Sequence, residues 1–534
     1  MALQEIIMSR EDAAKIDASN VRQLFDQFAD VLHYREMLWE QYDKQDEIMN
    51  ALMSPDDYTV LAPIARYATN IAAGYFIGKP CKYYSRITQS AKALELPNGK
   101  RVTITDKDNG EMDDKTRADV EAYMRSLRAI LRRNHEDDEN MALARDALIH
   151  RVAFERVYTI KTADGGVDIR IKNIDPKKCV LIKDTSIERR PVAFLCREEF
   201  ADPFTSRSIF RYEVITDASH RFYEFDGTAI TGQIPHGVES ETGKPLREYD
   251  ADVNTLNLER LVGIPIVEYR MPENKGFFED CIPLMNARDA LLQNMRNTFK
   301  YNDEAIMLMI GYMKPESDEK MEELRKQIDT WKMMFLGEDN KIEWLLKDVP
   351  IDSIAGYYNI LSQDIFAMLG IKNPVKQSEV YQNITTVRYQ NYGMENTIIG
   401  MERTFERSLL EGRAQMITKI LNFLGKTDWD WELLDVAFER NLPTSRTEEA
   451  QFIAQMKNAD VLADEDILDQ VSFIEDTDAA VLRKHAQDER EAREAAEAAL
   501  AVSSRVNPYT VDKNDDVNND RRLDKADGRI QQSR

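Results

Sequence analysis

Apolar residues recur every three or four positions through roughly the first 150 residues and again through the last half of the chain. Between Arg151 and Tyr269 they alternate or run in short blocks instead. The longer period lines one side of a helix and the shorter one face of a strand. The N-terminal region therefore predicts a helix from about Val21 to Asn50, with Leu24, Phe28, Val31, Leu38 and Tyr42 on its stripe. A second helix is predicted over Leu61–Phe76. It is stopped by Gly78 and Pro80, since Gly followed closely by Pro ends a helix. CKYYSRIT has strand character, residues 100–117 are polar and turn-rich, and helices resume at Lys115–Arg133 and Asn140–His150.

From Arg151 the period changes. RVAFERVYTIKT, the turn Asp164-Gly165-Gly166 and VDIRIKNI predict a β-hairpin. Further strands are expected at KKCVLIK, VAFLCRE, SIFRYEVIT and HRFYEFDG, continuing to about Tyr269, with the Gly-rich stretch 230–260 looping outward. Residues 1–278 thus read as one α+β region inside a mainly helical α+β chain.

The next stretch has an unusual order. An amphipathic helix, 279–302, carries Leu284, Leu291 and Met295 on one face, with Met285, Leu292 and Phe299 beside them. A compact mixed segment, 303–350, contains Trp331, Phe335, Trp344 and Leu345. A second helix, 351–369, places Ile351, Ile354, Tyr358, Leu361, Ile365 and Leu369 at spacings of three and four. A Pro-containing loop, 370–384, carries Lys372 and Lys376. It leads into a long helix, 385–425, which begins near Arg388. That helix is about forty residues, or roughly 60 Å. Its stripe runs through Met394, Ile398, Met401, Phe405, Leu409, Met416, Ile420 and Phe423. Core packing and packing between copies in a ring produce the same stripe, so periodicity does not separate them. Residues 426–500 are helical and charged, with a capping box from Ser445 to Glu448. Residues 501–534 are polar and nearly free of aromatics, and are expected to be disordered.

Composition narrows the function. The chain has 534 residues, enough for two to four modules, and 43% hydrophobic residues, enough for packed cores. No run of 18 apolar residues occurs, and the start lacks the basic and apolar regions of a signal peptide, so a soluble, unexported protein is expected. Cys81, Cys179, Cys196 and Cys281 are scattered without a CxxC pair, which suggests neither a disulfide framework nor a zinc site. The net charge of −24 argues against a protein that grips DNA, because phosphate neutralisation supplies most sequence-independent affinity. It does not argue against a conduit, whose wall works better repelling phosphate than holding it. No phosphate-binding loop surrounds Gly425-Lys426-Thr427, and no zinc helix surrounds His135-Glu136. The calcium-like run at Asp512 has Val517 where the loop needs Gly. No catalytic pair stands out, so neither an active site nor a cofactor is expected.

The order helix, small insert, helix, loop, long helix resembles the stem, clip, stem, tunnel loop and channel helix of the portal proteins of tailed bacteriophages. Three further segments support the resemblance. Asn70 with Gly74-Tyr75-Phe76-Ile77-Gly78-Lys79-Pro80 is similar to the family's entry into its wing domain. Helix 140–150 followed by the 151–182 hairpin and Asp-Pro bend is similar to a wing pattern, and VAFERNLPTSRTEEAQF onward resembles the crown. Singly these motifs are weak, but they keep their order from about residue 20 to 500. One departure is the absence, at Tyr381–Arg388, of the Ser-Gly-rich run common where the tunnel loop meets the long helix.

The resemblance implies a portal fold: wing 1–278, stem helices 279–302 and 351–369, clip 303–350, tunnel loop 370–384, long helix 385–425, crown 426–500 and tail 501–534. It implies a ring of twelve copies at one capsid vertex of the virion, assembled in the host cytoplasm. Double-stranded DNA would pass through it in packaging and ejection, without sequence specificity and with no membrane. Implied partners are the terminase large subunit, the head-completion adaptor, and the major capsid and scaffolding proteins. The two stem helices, which carry Leu284, Leu291, Met295, Ile354, Tyr358, Leu361 and Ile365, would line the channel. The clip would dock through Trp331, Phe335, Trp344 and Leu345, and Lys372, Lys376 and Arg388 would meet passing phosphates. The competing readings are another virion structural protein, capsid-associated or in the baseplate, and a metal-dependent nuclease or hydrolase.

Overall fold

The computed structural model describes residues 6–53 (Ala18 apart), 60–86, 114–162, 166–201, 208–226 (Ala218 apart), 258–303, 350–372 and 392–441. It also describes short strands at 93–95, 101–103, 233–235, 306–310 and 341–345, and scattered helical positions between residues 318 and 494. The chain divides into two compact units, Met1–Leu442 and Pro443–Arg534. Only isolated helical positions are described in the second, so the 501–534 expectation and most of 426–500 lie outside the described residues.

The first unit opens with helices α1 (Arg10–Ala13), α2 (Val21–Gln27), α3 (Ala29–Asp43), α4 (Gln45–Met53) and α5 (Ile64–Ile77). Strands β1 (Lys82–Ser85), β2 (Ala93–Glu95) and β3 (Arg101–Thr103) precede α6 (Asp114–Arg133) and α7 (Glu136–His150). Then come β4 (Val152–Lys161), β5 (Val167–Ile174), β6 (Cys179–Lys183), β7 (Pro191–Ala201), β8 (Ser208–Thr216), β9 (His220–Asp226) and β10 (Gln233–Pro235). After α8 (Leu258–Val262) and β11 (Ile266–Arg270) come α9 (Ile282–Asp303), β12 (Ile306–Ile310), β13 (Lys341–Leu345) and α10 (Ile351–Met368). The long helix is α11 (Tyr392–Arg407), a π-helical turn (Ser408–Ala414) and α12 (Gln415–Gly425); β14 (Leu434–Ala437) closes the unit.

The expected single helix over Val21–Asn50 is three helices. Phe28 breaks it once, and Lys44 breaks it again in a left-handed conformation (φ 44°). The predicted hairpin is present, β4 pairing β5 from Phe154↔Ile174 to Lys161↔Val167. The expected strands divide between two sheets. One is an antiparallel meander in the order β10-β9-β8-β7-β6, and the other has the order β11-β4-β5. Residues 385–391 of the predicted long helix lie outside the described residues, and the described part carries a π turn that periodicity does not reveal. The strand Leu434–Ala437, grouped with the crown in sequence, pairs antiparallel with β1 in the first unit.

Alternation along the strands explains the layering. On β4, Ala153 and Val157 face the helical core with α5, α7 and the long helix, while Val152 and Phe154 face the five-stranded sheet. On β6, Cys179 and Leu181 face back toward β4, and Val180 and Ile182 face the N-terminal helices, where Val21, Phe25 and Leu32 cover them. The order is therefore main helices, three-stranded sheet, five-stranded sheet, N-terminal helices, as two-faced burial of the middle strands requires.

One polar group lies at the centre of the helical layer. Arg413, in the π turn, is 1% exposed. Its Nε and Nη2 donate to Glu155 at 2.8 and 2.6 Å, its Nη1 donates to Glu136 at 2.7 Å, and Nη2 also reaches Asn140 Oδ1 at 2.8 Å. Tyr269 donates to Glu155 (2.9 Å) and Tyr83 to Glu136 (2.6 Å). Burial pushes the Glu136 carboxyl above its usual range against the pull of Arg413, while Glu155 and its neighbours hold the guanidinium charged against burial.

Replacing Arg413 with Met strands two buried carboxylates and is expected to cost about 3–5 kcal/mol. The urea midpoint of the full chain measures this, and a loss below about 1 kcal/mol would show that the network is not holding the layer.

Candidate functional site

The segment from α9 to the start of α11 contains every residue singled out from sequence, and its anchorage can be traced group by group. At the root of α9, Glu279 accepts from Arg151 Nε (2.8 Å), the Tyr34 hydroxyl and the Gly276 amide (2.9 Å). Further along, Lys44, the left-handed residue that ends α3, pairs with Asp289 at 2.6 Å, both side chains being largely buried. Gln293 Oε1 accepts the Val60 amide at 2.8 Å. The first half of α9 is thus fastened to the N-terminal helices and the loop before α5.

The second helix leans on the first. Arg288, 8% exposed, donates from Nη2 to the Tyr358 hydroxyl at 2.6 Å, with its guanidinium carbon 4.9 Å from that ring's centroid. Between the two helices, β12 pairs β13 antiparallel from Ile306↔Leu345 to Ile310↔Lys341. Pairing puts the backbone of Trp344 opposite Met307. Trp331, Phe335, Lys376 and Arg388 lie outside the described residues, as do the side chains of Trp344 and Leu345.

The stem residues predicted from sequence are buried or half-buried within the single chain. Leu361 and Ile365 are buried, and Ile354, Tyr358, Leu284, Leu291 and Met295 are half-buried, with Leu284 packed on the main core. The exposed apolar side chains of α10 are on another row. Tyr357, Ile360 and Met368 are each about half exposed, and with Ser353 and Asp364 they recur at spacings of four, three, four and four. Ile351 and Phe299 are exposed at the far ends of the two helices. This second row is visible in the sequence, but the more continuous inner row outranks it.

The loop after α10 begins and ends at one place. Gly370 has φ +65°, and a Cβ on it would lie 2.7 Å from the backbone carbon of Gly393 and the amide nitrogen of Met394. A Cβ on Gly393 would lie 3.1 Å from Gly370 Cα. Two glycines therefore close the base of the 371–391 segment, and Lys372 stands half-buried just beyond it. The return strut is held by Glu395, which accepts from Arg440 (3.0 Å) and from Tyr75 (2.5 Å). Arg440 also pairs with Glu402. Gly393 was not marked by any sequence signal, since its role is contact with a residue 23 positions earlier.

Among the described residues no three His, Cys, Asp or Glu side chains converge to hold a metal, and no helix is long and apolar enough to cross a membrane. The arrangement is mechanical: two anchored helices, a small sheet at their far ends, and a closed loop base. Residues 36–495 match the family described as phage portal protein, SPP1 Gp6-like. No curated protein matches the chain.

Gly370→Ala must adopt a left-handed backbone and crowd Gly393, so it is expected to destabilise by about 1–3 kcal/mol. Gly356→Ala, in mid-α10 with nothing within 4 Å of the added carbon, is expected to stabilise by about 0.5–1 kcal/mol. Thermal melts of both variants check the opposite signs.

Proposed function

Because the chain belongs to the phage portal protein family, a structural family of the virion capsid vertex, we propose that copies of it close into a ring of twelve whose bore admits double-stranded DNA. The two stem helices α9 and α10 build the wall, residues 1–278 form the wing in contact with major capsid and scaffolding proteins, and 426–500 form the crown. The clip, 303–350, receives first the terminase large subunit and then the head-completion adaptor.

The observation that carries the ring is the second apolar face of α10. A helix apolar on one stripe is satisfied within its own chain, whereas one that also exposes Tyr357, Ile360 and Met368 on another row needs a further surface to cover it. A neighbouring copy supplies that cover in a closed ring, whose contacts are head-to-tail: the row of one copy meets a different face of the next, and the contact repeats around the ring. The acidity supports passive conduction: with net charge −24 per chain, the wall gains little from counterion release and does not hold the duplex. A separate ATPase supplies the work. The loop 370–384, with its base closed by Gly370 and Gly393, narrows the bore, and Lys372 and Lys376 touch phosphates in passing.

Tyr357→Asp with Ile360→Asp places charge on exposed positions. The single chain should keep its melting temperature while rings disappear by mass photometry and electron microscopy, and unchanged rings would sink the assignment of this face. Lys372→Gln with Lys376→Gln should leave rings intact and lower the yield or length of packaged DNA. Unchanged packaging would remove the loop from the DNA path.

A further inference from the structure

Beneath α3, against β4, β6 and β11, lies a small, partly open cleft whose charged and polar lining comprises Tyr34, Arg35, His150, Arg151, Glu268, Arg270 and Asn274. Three guanidinium groups and one carboxylate give this lining a net charge of 3 − 1 = +2 in a chain of −24.

The carboxylates nearby are already engaged. Glu268 pairs with both Arg270 (2.7 Å) and Lys183 (2.6 Å), and Glu279 is taken by Arg151 and Tyr34. Arg35 pairs with no carboxylate among the described residues. Its Nη1 donates to the carbonyls of Pro176 and Cys179 at 2.6 and 2.8 Å, and its guanidinium carbon is 5.5 Å from the Phe154 ring centroid. A purely structural role, tying the 176–179 turn to α3, engages Nη1 alone and leaves the Nε–Nη2 side of the fork without a direct carboxylate partner, Glu268 acting on it only through space. Taking a cation out of water without a counter-ion is costly, and the cost falls if an anion enters. His150 also registers a positive surrounding: burial, Arg35 and Lys177 push it down to about 3, and its Nδ1, 3.1 Å from the Arg35 carbonyl, must be the protonated nitrogen because that oxygen only accepts.

We propose that this cleft binds a small tetrahedral oxyanion, inorganic phosphate being the simplest, between the guanidinium groups of Arg35, Arg151 and Arg270. A planar guanidinium fork suits such an ion because it presents parallel N–H donors to two of its oxygens; Arg35 has its Nε–Nη2 side for this, while Arg151 and Arg270, already bonded to Glu279 and Glu268, add positive charge around it. Glu268 faces the same space and weakens the binding. The bound ion would join α3, the α7–β4 junction and β11 at one point beside Glu279, the residue on which α9 is rooted.

The probe is inorganic phosphate, titrated calorimetrically into the full chain against sodium chloride of matched ionic strength and monitored in parallel by ³¹P line broadening. Saturable phosphate binding with no response to chloride is expected. Arg35→Gln should weaken it by at least about tenfold, the loss of a charge-assisted fork. Glu268→Gln, which removes the opposing carboxylate, should tighten it, and this arm stands even if the Arg35 variant does not fold. Absence of saturable binding by the unmodified chain at about 10 mM phosphate, weaker than any useful affinity at cellular levels, overturns the proposal. So does affinity in Glu268→Gln that is unchanged or lower.

Discussion

The Arg413 guanidinium is the point on which the helical layer depends. It is contributed by the long helix, yet its partners are Glu136 and Asn140 on α7, Glu155 on β4 and, through hydroxyl groups, Tyr269 on β11 and Tyr83 on β1. Five elements separated by hundreds of residues thus share one charge. Buried ionic groups rarely add net stability over a well-packed apolar core, but removing one partner is severe, so they penalise every register except the one that completes them. The π turn is how the helix meets that demand. One extra residue per turn rotates the C-terminal half of the helix, so that Leu409, Leu410, Arg413 and Ala414 all face inward while Ile417 and Ile420 continue the buried side beyond them. Gly412 completes the fit: a Cβ there would lie 2.5 Å from Val267 Cγ1, so β11 approaches the helix closely at the turn that carries the arginine.

This fixed layer gives the stem and loop something rigid to act against. The root of α9 is tied to α3 and to the start of β4 through Glu279, Tyr34 and Arg151, and its later turns are tied by Lys44 and Asp289. The end of the loop returns into α11, which Glu395, Tyr75 and Arg440 hold to α5 and to the segment after β14.

Much of this was legible in the chain because it is local. The hairpin of β4 and β5 arises from alternation on either side of Asp164-Gly165-Gly166, and α5, α6 and α7 arise from apolar period and stop signals. The illegible part is non-local. Nothing near Lys82 indicates that it will pair opposite Ala437, and nothing around Arg413 indicates that it will be buried, since an isolated arginine in a helix reads as a solvated charge. The breaks at Phe28 and Lys44 belong to the same class, Lys44 reaching Asp289 across the fold. The two rows of α10 were illegible for a different reason. Apolar period identifies that a face is buried but not by what, and on α10 the stronger row is used up inside the chain, leaving the weaker one exposed.

The distribution of charge along the first stem helix bears on conduction more directly than the total does. The exposed positions Asn286, Ala290, Asn294 and Asn297 recur at spacings of four, four and three and carry no charge before the exposed Lys300 in the last turn, whereas Arg288 and Asp289 are turned inward and spent on Tyr358 and Lys44. If that outer row meets the duplex in the proposed ring, amide side chains offer hydrogen bonds that water replaces as the strand advances. They release no counterions, so they contribute no salt-dependent affinity to be overcome at each step. An arginine-lined wall would trap the duplex and a densely acidic one would oppose its entry. In the proposed ring, a largely neutral row on an acidic body would let the strand pass under the force of a separate motor.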